Sequence, residues 1–320
     1  MNVLGLFILL AVGLGVVLSA AVVFLVYSLT HPPRVGYAHA LARGLPGSPG
    51  ELTTRSGGPR RFEEWSFTSR GRSLAVWDVA GDDASGPVVI LTHGWGSGRV
   101  RSLLRVSDMA PLCARMLLWD LPGHGDSPGV STLGVDEVDD LAALVEAVAG
   151  REGGPEIVLM GSSLGAGVCL AVAARGAAVT AVIAQAPYRM PITPARNVMN
   201  ARGFPTTGLL NATMAVLGCW QGQGIKWAWP GRRGGPGSAF DRAQLAAEVR
   251  VPVLVLWGDG DSVVPREDAE EIAAACLAGQ FSVVAGAGHN DFWTEPANRE
   301  NASRICGGFL RSLRNPKQVG

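Results

Sequence analysis

Gly161-Ser162-Ser163-Leu164-Gly165 and Gly125-Asp126-Ser127-Pro128-Gly129 both fit G-x-S-x-G, a pattern that can present a nucleophilic serine. The pattern carries chemistry only where a strand runs into it and a helix leaves it. Ser163 has both neighbours: the apolar run Ile157–Met160 precedes it and an Ala/Val/Leu-rich segment to Arg175 follows. Ser127 is followed by Pro128-Gly129, which cannot continue as a helix, and is read as a loop residue. At a tight strand-to-helix turn the flanking positions must lack side chains, which explains Gly161 and Gly165. The Ser163 hydroxyl then stands at a helix N-terminus, where backbone N–H groups favour nearby negative charge.

A serine nucleophile needs a base, an acid to orient that base, and donors for the oxyanion. Of the 5 histidines, His31 lies beside a long apolar run and His39 in a Gly/Pro/Arg-rich stretch, so both are poor candidates. His93 and His124 sit in Gly-rich loops and are candidates to line the site. His289, in Ala287-Gly288-His289-Asn290 after the last apolar run, is the candidate base. Gly258-Asp259-Gly260-Asp261 offers two carboxylates; Asp259 reads as a turn former and Asp261 as the acid. The order Ser163, Asp261, His289 is one of the known chain orders for a Ser–His–Asp triad. The candidate oxyanion donors are the backbone N–H of Leu164, next to the nucleophile, and that of Trp95 in His93-Gly94-Trp95. A backbone donor leaves the Trp95 side chain free to wall an acyl pocket; the plainer alternative is a core tryptophan.

These residues must be carried by strand ends. Glu63–Ser69 and Ser73–Val79 read as two strands joined at Arg70-Gly71-Arg72. Pro87–Thr92, Arg115–Trp119, Ile157–Met160, Val179–Ala184, Val251–Trp257 and Phe281–Val284 are apolar runs of strand length, as expected for strands covered on both faces. Helical patterns fall near 101–113, 135–149, after Ser163, near 267–278 and near 296–313. Alternating strands and helices predict a mostly parallel eight-stranded sheet with helices on both faces. Sites in such sheets gather at the carboxyl ends of the strands. Residues 62–188 and 251–315 form the expected core, and 189–250 an inserted cap with no clear strand.

Val3–Leu29 holds no charged residue and is long enough to cross a bilayer, so residues 1–31 read as a single-pass membrane anchor; a signal peptide would need a basic start and a shorter apolar core. Arg34 and Arg43 follow closely with no acid before Glu51, which favours a cytoplasmic catalytic domain. Residues 32–61, rich in Gly, Pro and Arg, read as a linker that holds the domain off the membrane. At 320 residues one large domain with an accessory segment is expected, and 27 basic against 27 acidic residues give no reason to invoke nucleic acid. The 5 cysteines are scattered without metal-ligand spacing, so reduced buried thiols and no metal are expected. In the cap, Trp220, Trp227 and Trp229 with Lys226, Arg232 and Arg233 fit either a lipid-facing patch or packing onto the sheet.

Taken together, HGWGSG, DLPGHGDS, GSSLGAG, GDGDSVVP and AGHN resemble the α/β-hydrolase family, over about Phe62–Leu313. The likeness is to its membrane-anchored serine hydrolases of the monoglyceride-lipase and serine-aminopeptidase-like branch. The resemblance implies the α/β-hydrolase fold, a Ser163–His289–Asp261 triad, an acyl-enzyme intermediate, no cofactor, and a cap that governs substrate. The expected activity is hydrolysis of carboxylic esters or thioesters, with acyl lipids among the candidates. Acyl transfer and perhydrolysis use the same triad, and a non-catalytic membrane-tethered binding protein is the alternative outside enzymology. Oligomeric state is not legible in the chain.

Overall fold

In the computed structural model, residues 2–150, 154–203, 207–223 and 241–314 are described. The predicted strands are β1 Phe62–Ser69, β2 Arg72–Ala80, β3 Val88–Thr92, β4 Arg115–Trp119, β5 Ile157–Ser162, β6 Ala181–Gln185, β7 Val253–Gly258 and β8 Gly279–Val284. They form one 8-stranded sheet in the order β1-β2-β4-β3-β5-β6-β7-β8. The β1–β2 and β2–β4 pairs are antiparallel and every other pair is parallel. Arg70 and Gly71 both take positive φ between the paired residues Ser69 and Arg72, as a two-residue hairpin turn requires.

The helices are α1 Val3–Thr30, α2 Tyr37–Leu41, α3 Arg99–Met109, α4 Asp136–Ala149, α5 Leu164–Ala174, α6 Ile192–Ala201, α7 Thr207–Trp220, α8 Arg242–Ala246, α9 Arg266–Ala275 and α10 Pro296–Arg314. Side chains alternate across each central strand. Val88 and Ile90, Ile157 and Leu159, and Val253 and Val255 point into a core with α4, α5, α8 and α9. Val89 and Leu91, Val158 and Met160, and Leu254 and Leu256 point into a second core with α3 and α10. All twelve are buried, which is why these strands read as continuous apolar runs.

Two segments depart from the sequence expectation. The stretch 32–61 is docked on the domain: Val35, Ala40 and Leu52 are buried in the α3/α10 core, and buried Arg60 pairs with Asp82 at 2.9 Å. A few apolar anchors, spaced irregularly among Gly and Pro, suffice to pin it. Residues 189–250, expected as a cap, carry three helices among the described residues, α6, α7 and the short α8, which the periodicity did not reveal. Pro194 lies in the first turn of α6, where its missing N–H costs nothing, and α7 carries no charged residue and no continuous polar face. Met190, Ile192, Leu210, Met214 and Leu217 of this segment form an apolar cluster with Leu133 of the loop before α4, and Val26 and Leu29 of α1 also pack against it. Lys226, Trp227, Trp229, Arg232 and Arg233 lie outside the described residues. Helix α1 is long and apolar enough to span a membrane, with a mean hydropathy of 2.8 over its most apolar window.

Candidate active site

Ser163 occupies the turn between β5 and α5 with φ +53° and ψ −111°, a conformation that costs a non-glycine residue about 1–3 kcal/mol. The surroundings hold it there. Its N–H donates to the Gln185 carbonyl at 2.8 Å, at the end of neighbouring β6. The two glycines of the motif answer close approaches. A Cβ on Gly161 would collide with the backbone of Gly165 and Ala166, and one on Gly165 with the Thr92 and His93 carbonyls at the end of β3. Gly94 packs from the other side, where a Cβ would stand 3.4 Å from that of Ser163. Trp95 therefore follows a residue in contact with the turn, and Leu164 begins α5 directly after Ser163.

The loops after β7 and β8 bring two more side chains to Ser163. His289 Nε2 lies 3.1 Å from Ser163 Oγ, and His289 Nδ1 lies 2.8 Å from Asp261 Oδ2. The Asp261 side chain is fully buried, and its Oδ1 accepts the N–H groups of Val263 at 2.8 Å and Val264 at 2.9 Å. With one oxygen fixed by the backbone, the other is aimed at the imidazole. Asp259 instead accepts the Gly286 N–H at 2.6 Å, joining the β7 loop to the β8 loop that carries His289. Asp291 continues this bracing by accepting from Gly288 N–H at 2.7 Å and Asn298 Nδ2 at 3.1 Å.

His93 and His124, candidates to line the site, are buried behind it, with both ring nitrogens of each engaged by backbone. His93 Nε2 accepts the Leu121 N–H at 3.1 Å, so its proton is on Nδ1, which donates to the Gly94 carbonyl at 2.8 Å. His124 repeats the arrangement, accepting from Gly96 N–H at 3.1 Å and donating to the Pro122 carbonyl at 3.0 Å. Both rings are therefore neutral. Burial pushes His93 well below its ordinary 6.5 and His124 down to about 4. Together they bolt the 94–96 loop beside Ser163 to the loop after β4. Ser127 lies in that second loop, buried, donating to the Asp120 carbonyl at 2.7 Å and accepting the Ala75 N–H at 3.0 Å. Its hydroxyl is a brace.

Gln185 escaped the sequence reading. It is the polar end of an otherwise apolar strand, and that was its only signal. Its carbonyl accepts from Ser163, and its buried side-chain oxygen accepts from Trp293 Nε1 at 2.7 Å and Arg105 Nη2 at 3.1 Å. Trp293 belongs to the loop that carries His289, so Gln185 ties the serine turn to the histidine loop. The indole of Trp95 is also placed: it is 41% exposed, and its Nε1 donates to the Leu29 carbonyl at 2.8 Å, in the last turn of α1. Four cysteines are buried, and burial raises their thiols to about 11 at Cys276 and about 12 at Cys113, Cys169 and Cys306; Cys219 is exposed.

A family model described as the alpha/beta hydrolase family matches residues 88–301, the stretch from β3 into α10. The chain belongs to the alpha/beta hydrolase family. Among relatives, it is 28% identical over 236 residues to the biotin biosynthesis bifunctional protein BioHC of Cellvibrio japonicus, covering 66% of this chain but only 45% of that protein. It is likewise 28% identical over 230 residues to an uncharacterized protein of Mycobacterium tuberculosis, with 70% of each chain covered. Among solved structures, an esterase of Pyrococcus furiosus superposes with a TM-score of 0.65 over 89% of this α/β hydrolase and 98% of the esterase, at 19% identity. That likeness is one of fold.

Proposed function

We propose that this α/β hydrolase is a serine esterase that cleaves carboxylic esters or thioesters through Ser163, His289 and Asp261. The observation that carries the reading is the continuous chain from Ser163 Oγ to His289 Nε2 at 3.1 Å and from His289 Nδ1 to Asp261 Oδ2 at 2.8 Å. The carboxylate fixes the tautomer that leaves Nε2 free to take the serine proton. Ser163 attacks the acyl carbonyl as His289 removes its proton. The backbone N–H groups of Leu164 and Trp95 hold the oxyanion, in a loop kept in shape by His93 and His124. His289 then protonates the leaving alcohol or thiol, and activates water to release the acid from the acyl-enzyme. No step calls for a cofactor. On this reading helix α1 anchors the enzyme in a membrane, Arg34 and Arg43 close after it favour a cytoplasmic domain, and apolar acyl esters are the substrates that location favours.

Steady-state hydrolysis of short p-nitrophenyl esters tests the reading. Ser163→Ala and His289→Ala should each lower kcat by about 10⁴-fold or more, with the fold intact by circular dichroism. Full turnover by Ser163→Ala would overturn the assignment.

A further inference from the structure

Helix α1 is uncovered along Val3–Ala20 apart from half-buried Gly5. At 1.5 Å per residue that stretch is about 27 Å long, close to the ~30 Å hydrocarbon core of a bilayer. From Ala21 onward one face is covered: Ala21, Val22, Leu25, Val26, Ser28 and Leu29 are half-buried, at helical spacing. This face packs on α7 and the cap cluster. The level at which α1 leaves the hydrocarbon is therefore the level of α7.

Helix α7 carries no charged residue. Its inner face, Leu210, Thr213, Met214 and Leu217, is fully buried. Its outer face, Gly208, Ala212, Val216, Cys219 and Trp220, is exposed, with Trp220 at 62% and Val216 at 49%. A helix apolar on both faces is at home only with apolar matter on both sides. Packing on the end of a spanning helix puts its outer face at the boundary between acyl chains and headgroups, the depth at which tryptophan is enriched. The same end of α1 reaches the site. The Leu29 carbonyl holds the Trp95 indole, the Thr30 carbonyl accepts the Ser131 N–H at 2.8 Å, and Gly94, next to Trp95, touches the Ser163 turn.

We infer that α7 lies in the same leaflet as the end of α1, and that the two helices form a bilayer-embedded rim from which a membrane-dissolved acyl ester reaches Ser163. The inference rests on the serine-esterase reading for its chemistry, and adds where the substrate comes from. The occupant of the outer face of α7 is lipid acyl chain, because α7 packs directly on the end of α1 and presents there an exposed face without charge.

The full chain in phosphatidylcholine vesicles tests this, with Cys219 carrying an environment-sensitive fluorophore; the other four thiols are buried. Lipids brominated on the acyl chain should quench the label, and aqueous iodide should not. Quenching by iodide and not by brominated lipid overturns the inference. So does a label shielded from both, with cross-linking into dimers, which would make a second copy the occupant. In unlabelled protein, Val216→Asp and Ala212→Asp should slow hydrolysis of a long-chain fluorogenic ester dissolved in the vesicles by about tenfold. Turnover of water-soluble p-nitrophenyl acetate should stay within about twofold, because neither side chain touches the triad. Equal activity of both variants and wild type on the vesicle ester overturns the rim. A wild type that turns over neither ester overturns the esterase reading itself, while the quenching result still reports the depth of α7.

Discussion

Asp259 and Asp261 flank a single glycine and have different tasks, and the difference lies in what each carboxylate accepts. Asp261 takes two backbone N–H groups on one oxygen and His289 on the other; among the described residues Asp259 takes the Gly286 N–H alone. Asp261→Asn should keep the fold and lower kcat by about 10³–10⁴-fold, since the amide no longer fixes the imidazole tautomer. Asp259→Asn should leave kcat within about threefold and lower stability by roughly 1 kcal/mol. Parallel measurement of kcat and denaturant midpoint separates the two, and the reverse pattern would move the acid to Asp259. The contrast between Ser163 and Ser127 was legible because Pro128 forbids a helix after Ser127. The roles of His93 and His124 were not, because a histidine in a Gly-rich loop reads the same whether it faces substrate or holds backbone.

At the scale of elements, the strands announced themselves as runs of β-branched and apolar residues, because both faces of a parallel sheet are covered. The loops at their carboxyl ends then carried the candidate site in chain order. The cap helices were hidden for the opposite reason: α7 shows no polar face and α6 begins among prolines, so neither presents a 3.6-residue pattern against a polar background. The docking of 32–61 was hidden because Val35, Ala40 and Leu52 are too far apart to form a period. Coupling between elements is equally silent in sequence, as Gln185 illustrates. Gln185→Leu strands the Trp293 indole N–H and the Arg105 guanidinium in the core, which should cost about 1–3 kcal/mol. It should also loosen the His289 loop, so kcat on a soluble ester should fall by about tenfold while KM moves little. Thermal unfolding and steady-state kinetics check both effects, and a stable variant with normal kcat would show that the serine turn and histidine loop are positioned independently.

For the whole molecule, buried ionisable groups around the 94–96 loop contribute to the response to acid. His124, held at about 4 in the fold against 6.5, binds its proton more readily when the chain unfolds. Stability is thus lost as pH falls below 6.5, by about 3 kcal/mol once pH has passed 4. His93, pushed well below 6.5 by burial, adds a loss of the same sign. Asp120 opposes them: burial raises its carboxyl from 3.8 to about 6, so its protonation favours the fold as pH falls through 6. Burial also raises the Asp140 and Asp268 carboxyls, with the same sign as Asp120, so the histidine contribution is read by difference from a variant. Between pH 6.5 and 4 wild type should lose stability relative to His124→Gln, read as the difference between their denaturant midpoints; a difference that does not change with pH would contradict the assignment of a neutral buried ring at His124.

Covalent labelling reads whether Ser163 is an activated nucleophile. The full-length protein would be treated with a fluorophosphonate, digested, and the modified residue located by mass spectrometry, with Ser163→Ala and Ser127→Ala in parallel. One adduct is expected, on Ser163, in wild type and in Ser127→Ala, and none in Ser163→Ala. An adduct on another serine, or folded wild type that takes up no label, would contradict it.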